Sequence, residues 1–383
     1  HVAMTTGGQT MTWGSVWDEL LYPYAGQTLA SSFGENHWSP ALFSAQGLNY
    51  ENLDAYYVNS GFDVVFDPDT QSEEFNEQHR TFGWGVDEKI VLDKAIEWIK
   101  GSSKPFFLTF LTVTTHHPYG TPEGFESPFR DDDNLGKYES AMLYTDGIIE
   151  SLVQKLEENN QAKDTLIFIV GDHGEAFGDL HKSNFIHKNF LYEENIRNYL
   201  MIIDLERKIR PLSSRRRGSV ADIMPTILDS QEMRADEYIH GQSLFSDKYV
   251  EKIAYFHKNS NPEQWGLRDG SWKFIIEKNG KRNPELYNLD LDPDEKINLV
   301  SEHKDRVDTY VNMISNWFVY SNDEFTKRLE GFRHIGDKGL SVEDVGAPGP
   351  KRIALGRKSK DLPFFPIEGE IHPEEELTVW TNG

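Results

Sequence analysis

Three short polar clusters group side chains able to move a proton or hold a cation. Gly171-Asp172-His173-Gly174-Glu175 sets a carboxylate beside an imidazole between two glycines. An Asp-His pair at a strand end can face one cation while the glycines let the backbone turn tightly around it. A plain turn with a capping Asp uses the same residues. Thr114-Thr115-His116-His117-Pro118-Tyr119 offers two consecutive imidazoles: a metal ligand and a proton donor, or a solvated loop. His181, His187 and Lys188 precede Tyr192-Glu193-Glu194-Asn195-Ile196-Arg197. Imidazole and ammonium groups in such a loop can bind an anion and protonate a leaving oxygen, or stand on a polar surface.

Two of these clusters follow continuous apolar runs of strand length, Phe106 to Val113 and Leu166 to Val170. Ahead of the first run, residues 86–100 place Ile90, Leu92, Ala95, Ile96 and Ile99 near helical spacing, and Lys104-Pro105 breaks the pattern. A second helix is expected over 138–157, a strand over 200–203 and a helix over 219–228. Short strands are expected at 41–44 and 63–66, with an irregular Tyr-rich stretch between them. Apolar strands alternating with helices predict an α/β fold, a mainly parallel sheet sandwiched by helices. The strands 106–113 and 166–170 are expected to be its neighbouring central pair. Ligands bind beyond the carboxyl ends of such strands, where the Asp172 and His116 clusters fall. With the family resemblance given below, this implies that Asp172, His173, His116 and His187 converge in one pocket, His117 and His181 ranking behind them for their looser fit to the family pattern. Residues 252–257, 272–277 and 285–289 read as short antiparallel strands, followed by a helix over 301–318. The expected domains are therefore 1–245 (catalytic α/β), 246–320 (a small C-terminal α+β subdomain) and 321–383 (a tail or peripheral extension).

Composition narrows the function. With 38% hydrophobic and 13% aromatic residues the chain can bury a sizeable core. Against 63 acidic residues stand 39 basic ones, a formal charge of −24. Nucleic acid is excluded as a partner on that ground, since phosphate backbones need clustered Lys and Arg; the run Arg215-Arg216-Arg217 reads as a solvated loop. An acidic protein that binds an anionic ester must offset its own field locally, which a metal ion does compactly. The absence of cysteine excludes disulfides, thiolate nucleophiles and Cys-based zinc sites. No apolar run reaches the roughly 18 residues of a membrane span, and no signal peptide is visible. The chain opens at His1-Val2-Ala3-Met4 without an initiator Met, which gives the expectation of a fragment lacking its upstream segment.

The order of these pieces resembles the sulfatase family of the alkaline phosphatase superfamily. Residues 171–197 (GDHGEAFGDLHKSNFIHKNFLYEENIR) look like its metal-binding segment, and residues 104–120 (KPFFLTFLTVTTHHPYG) are similar to its strand and His-Pro loop. Val220 to Leu228 resembles its D-I-x-P-T-L-L helix and Gly241-Gln242-Ser243-Leu244 its G-x-S-L. Arg268 to Lys273, Glu285 to Leu289 and Asp292 to Leu299 are similar to its C-terminal R-x-G-x-W-K, E-L-Y-x-L and D-P-x-E-x-x-N-L. The resemblance covers roughly residues 80–300.

The resemblance implies an α/β hydrolase-type domain in which Asp172 and His173 bind a divalent cation, with Ca, Mn, Mg and Zn all open. It further implies that His116 or His187 protonates the leaving alcohol and that Lys188 neutralises an anionic oxygen. Sulfatases proper use a formylglycine made within C/S-x-P-x-R, and neither form is present here. The related lipoteichoic acid synthases and phosphoethanolamine transferases use an unmodified Thr. Thr6 is then the first choice as nucleophile and as a metal contact, with Thr5 and Thr10 behind it; a Gly-rich polar turn accounts for the same residues. The family's remaining acidic ligand is expected upstream of His1. A threonine ester lacks the elimination route by which formylglycine expels sulfate, which favours phosphate; the C-terminal half looks more like true sulfatases, and neither substrate wins. The implied substrate is an anionic ester of a sugar, lipid or small molecule, the implied location extracytoplasmic, with a membrane anchor open for the full-length protein. A non-catalytic sulfatase-like binding protein that has lost its nucleophile is the competing reading.

Overall fold

A computed structural model describes residues 2–6, 27–49, 53–82, 85–206, 216–235, 239–278, 280 and 282–337. Thr10 and residues 338–383 lie outside this set. The chain divides into two compact units. One comprises residues 1–172 with 198–250; the other comprises residues 173–197 with the chain from 251 through the last helix.

In the first unit, strand β1 (Ser39–Ser44) lies between β2 (Val64–Phe66) and β5 (Phe106–Leu111), all parallel, with Ala41 opposite both Val64 and Leu108. A short hairpin, β3 (Arg80–Phe82) with β4 (Gly85–Val86), precedes the helix Glu88–Gly101. The period of two along β1 sends its side chains to opposite faces. Leu42 joins Tyr56, Tyr57, Leu48 and Phe62 on one face, in a core that includes the helix Leu53–Asn59. Ala41 and Phe43 meet Val91 and Ala95 of the helix Glu88–Gly101 on the other. Helices thus cover both faces of a parallel sheet, the expected α/β sandwich.

That second helix carries a stripe of buried Val91, Leu92, Ala95, Ile96 and Ile99, the spacing of one helical face. Asp87 caps it by accepting from Lys89 N at 2.8 Å. The long helix Asn134–Glu158 begins earlier than its apolar periodicity suggests, because Asp133 caps it at Gly136 N.

One expectation is corrected. β6 (Ile167–Val170) is not laddered to β5. It pairs antiparallel with β7 (Leu200–Ile203), in a sheet of two strands. A continuous apolar run reports burial and says nothing about which strand lies alongside or in which direction. Ile167 still packs into the same core as Phe106, Leu108 and Phe110, together with Leu92, Ile96 and Ile148.

The second unit holds an antiparallel sheet in the order β11-β10-β9-β8, formed by Ala254–Lys258 (β8), Gln264–Asp269 (β9), Trp272–Glu277 (β10) and Glu285–Asn288 (β11). The helix Lys304–Asp337 sets Tyr310 and Ile314 against Trp265, Leu267, Phe274 and Leu286. It runs well past residue 318, into the segment expected as tail.

Asp67 is a titratable weak point of the first unit. Its side chain is buried and accepts from Asp69 N at 2.9 Å. Burial pushes its carboxyl up to about 6, with the neighbouring Asp69 adding to the effect and backbone hydrogen bonds opposing it. Between pH ~4 and ~6 the folded chain therefore holds more protons than the unfolded one, so stability falls as pH rises through that window. Asp67→Asn keeps an acceptor for Asp69 N and removes the titration. Urea denaturation should show it stabilising the chain by roughly 1–3 kcal/mol at pH 7 and by almost nothing at pH 4.

Candidate active site

Within the first unit, the loop carrying His116 is fixed by a buried acid. Glu88 is fully buried at the start of its helix and accepts from Val113 N at 2.9 Å, Thr114 N at 2.7 Å and Thr114 Oγ1. Burial pushes its carboxyl up, against the pull of those donors. His116 then closes a turn through its N–H on Val113 O at 2.9 Å, and its Nδ1 lies 2.9 Å from His117 O. With Nδ1 donating there, the lone pair sits on Nε2. His117 is exposed and packs edge-on against Tyr119.

Asp172 stands exposed just past β6. Asn198 Nδ2 donates to Gly171 O at 2.6 Å and reaches Asp172 O at 3.4 Å, which pins the turn to the approach of β7. The buried Tyr57 phenol is pushed well up by burial, with Tyr56 and then the Asp172 charge adding to it. The Tyr56 hydroxyl in turn hydrogen-bonds Thr5 Oγ1. Asp172 and the helix Val2–Thr6 thus border one tyrosine pair. Thr6 itself is 0% exposed, in a helix packed against Val220–Asp222 and Ile223–Ser230. As placed, its hydroxyl is closed to an ester in solution.

His173, His187 and Lys188 belong to the second unit. The rings of His173 and His187 stack with centroids 4.3 Å apart and planes 25° apart. Nδ1 of His173 lies 2.9 Å from Gly174 O, and Nδ1 of His187 lies 3.0 Å from Glu175 Oε2. Both imidazoles therefore commit one nitrogen to the protein, which fixes the tautomer with Nε2 basic. Gly174 is required here: a Cβ would stand 2.4 Å from Glu194 O. Lys188 is exposed, and its carbonyl accepts from Ser260 Oγ at 3.0 Å. His181 has a structural post instead, parallel to Tyr192 at 3.7 Å with Nδ1 on Glu194 Oε1 at 3.0 Å. His173 and His187 meet within one unit, and Asp172 and His116 belong to the other.

A divalent cation fits the donor types at Asp172 and His173. An exposed carboxylate and an imidazole whose Nδ1 is anchored to a carbonyl are the usual oxygen and nitrogen ligands, and the anchor is the usual support. Among the described residues no group of three or more His, Asp or Glu is assembled as a metal cage.

The sequence reading missed what holds this loop. Lys273, fully buried on β10, places Nζ 3.2 Å from Glu193 Oε1 and 2.8 Å from Glu295 Oε1. Arg268 Nη1 meets Glu193 Oε2 at 2.7 Å, and Glu193 N donates to Glu295 Oε2 at 2.6 Å. Burial pushes the Glu295 carboxyl up while Lys273 pulls it down. A visible signal was Lys273 between Trp272 and Phe274, a cation flanked by apolar residues in a strand, which calls for a buried partner.

The family model described as Sulfatase matches residues 23–231, more than half of the chain. The chain belongs to the sulfatase family. It is 26% identical over 182 residues to the lipoteichoic acid synthase-like YvgJ of Bacillus subtilis, covering 45% of this chain and 27% of that one. To an arylsulfatase of Clostridium perfringens it is 25% identical over 280 residues, covering 59% of this chain and 57% of that one. This chain therefore spans between about a quarter and a little over half of those relatives. Its fold is similar to that of an alkaline phosphatase superfamily protein from Vibrio parahaemolyticus, with TM-score 0.63 and 17% identity over 85% of this chain and 74% of that one. The C-terminal sulfatase-like blocks lie outside the matched span, and Glu193, Lys273 and Glu295 give them a physical role: they bind the 173–197 loop to the antiparallel sheet.

Lys273→Met should leave the buried Glu295 carboxylate without its cation, with Glu193 still paired to Arg268. A loss of about 3–5 kcal/mol is expected in urea denaturation followed by tryptophan fluorescence. Loss of tight packing around the His173 loop should accompany it, read as faster amide exchange at Gly174 and Asn195.

Proposed function

We propose that this chain is the catalytic part of a cation-dependent sulfatase-family enzyme that cleaves or transfers phosphate esters in preference to sulfate esters, by way of a hydroxyl nucleophile. What carries the reading is the stacked pair His173 and His187, each with Nδ1 committed to the protein, inside the family's Asp-His segment. Asp172 and His173 would hold the cation. When bound, it would lower the pKa of an attacking hydroxyl and neutralise charge on the ester oxygens.

The remaining roles fall to the chain's own side chains. His187, held by Glu175, would give the leaving oxygen a proton that Nε2 first takes up, with His116 as the other candidate. Lys188, exposed in the same loop, would offset charge on a non-bridging oxygen. Thr6 remains the proposed nucleophile, ahead of Thr5 and Thr10, and must leave its buried position to act. The substrate class is an anionic ester of a sugar, lipid or small molecule, met outside the cytoplasm. A phosphothreonine can be discharged by water or an acceptor alcohol, whereas a sulfothreonine has no comparable exit.

A second reading is favoured by the burial of Thr6: a sulfatase-like binding protein without a working nucleophile. Titration with Mn, Mg, Ca and Zn by calorimetry, and turnover of bis(4-nitrophenyl) phosphate beside 4-nitrophenyl sulfate, separate the two. Cation-dependent turnover of the phosphate, weak or absent on the sulfate, is expected. Asp172→Ala should abolish cation binding and turnover together. Aryl sulfate hydrolysis surviving Thr5→Ala, Thr6→Ala and Thr10→Ala combined would overturn both the nucleophile and the substrate class.

A further inference from the structure

Glu175 enters the mechanism above only as the group that holds His187, and its surroundings carry more than that. Its side chain is 8% exposed, and Oε2 lies 3.0 Å from His187 Nδ1. The other oxygen, Oε1, is buried and has no hydrogen-bond partner among the described residues. A buried carboxylate oxygen left unsatisfied is expensive, and a surface turn has no reason to carry one.

The partner imidazole is held by a second, independent device. Ile186, directly before His187, sits at φ +64°, a left-handed conformation that a β-branched residue adopts only under compulsion. Such strain costs on the order of 1–3 kcal/mol and persists where the surroundings over-determine it. Here they do. Ile186 N donates to Ala176 O at 2.8 Å, and Asn195 Nδ2 donates to Ile186 O at 2.9 Å. Asn195, 2% exposed, also accepts from Gly174 N through its own carbonyl at 2.9 Å. One buried asparagine therefore ties down the chain before Glu175 and the chain before His187.

We infer that Glu175 is the positioning residue for His187, the group that fixes this imidazole as its Nδ1–H tautomer and aims Nε2 at the reacting ester oxygen. This rests on the reading of the chain as an ester-cleaving enzyme, and it deepens that reading by choosing His187 over His116 as the proton donor. The arrangement is that of a general acid–base imidazole oriented by a carboxylate. Nε2 of the neutral Nδ1–H form first takes a proton from water; as P–O bond cleavage leaves electron density on the leaving oxygen, that proton passes to it and His187 returns to the Nδ1–H form, Nδ1 keeping its own proton on Glu175 throughout. Substrate, water and the acceptor that receives the phosphoryl group complete the balance.

The test has two arms. In the first, the full chain labelled with 15N-histidine, without added cation, is examined by NMR. His187 should show the Nδ1–H tautomer in the wild type and a mixture or the reverse tautomer in Glu175→Ala, with Glu175→Gln intermediate. An unchanged His187 tautomer in both variants overturns the proposal, whether or not the chain turns over any ester. In the second arm, aryl phosphodiesters of graded leaving-group basicity are assayed with cation present. Glu175→Gln should lower kcat by about 10- to 100-fold for poor leaving groups, with little change in KM or for 4-nitrophenolate. Glu175→Gln combined with His187→Ala should be no worse than His187→Ala alone. Effects that multiply would show that Glu175 acts elsewhere, and would also overturn the proposal. Wild-type protein inert towards every ester, with the tautomer shift intact, would strike only the enzymatic reading.

Discussion

A buried ammonium and its two carboxylate partners decide where the loop 173–197 can sit. Lys273 is fully buried between Glu193 and Glu295, and Arg268 closes the set from the side of Glu193. An ammonium taken out of water costs several kcal/mol unless its partners are in place, so the sheet that carries Lys273 is stable only with the loop carrying Glu193 docked on it. Everything else in that loop follows. Leu191 and Tyr192 enter a core with Ile275, Tyr287 and Leu289, and His181 lies flat on Tyr192. The imidazole pair His173–His187 is then presented by a segment whose far end cannot move without exposing an ion pair.

The first unit solves the same problem with a single acid. There the loop after β5 is gripped by Glu88, which satisfies two backbone donors and one hydroxyl at once. One unit thus uses a neutralised charge network and the other a multiply hydrogen-bonded carboxylate. Both devices place polar groups where an apolar core alone would leave the chain free to slide.

Much of this was legible in sequence, and for identifiable reasons. The helix Glu88–Gly101 showed itself through Leu92, Ala95, Ile96 and Ile99, and β5 and β6 through unbroken apolar runs. The apolar run 166–170 placed Asp172 and His173 at a strand end, and the family resemblance implied their role. What stayed hidden needed three dimensions. The neighbour of β6 is decided by the return path to β7, which hydrophobicity does not encode. β9 was overlooked because Gly266 and polar ends obscure its alternation. Glu175 was quoted within the Gly-Asp-His-Gly run without a role, since its meaning depends on His187, a residue with no fixed spacing to it. The burial of Thr6 was equally invisible, because a Thr-Thr-Gly sequence serves a helix facing a core as readily as an exposed turn.

The grip of Glu88 has a consequence for how the chain behaves when cut. Its bond to Val113 closes 25 residues of sequence into a loop without any covalent link. Within that loop, Ser103 and Lys104 form an exposed turn between helix and strand. A protease nicking there would free two ends and release neither. The helix would remain seated on β1 through Val91 and Ala95, the strand would remain paired to β1, and the acid would hold both at the base. Such a segment behaves as a closed ring in the folded state and as two open tails once unfolded, so a nicked chain would keep its shape and lose the ability to regain it.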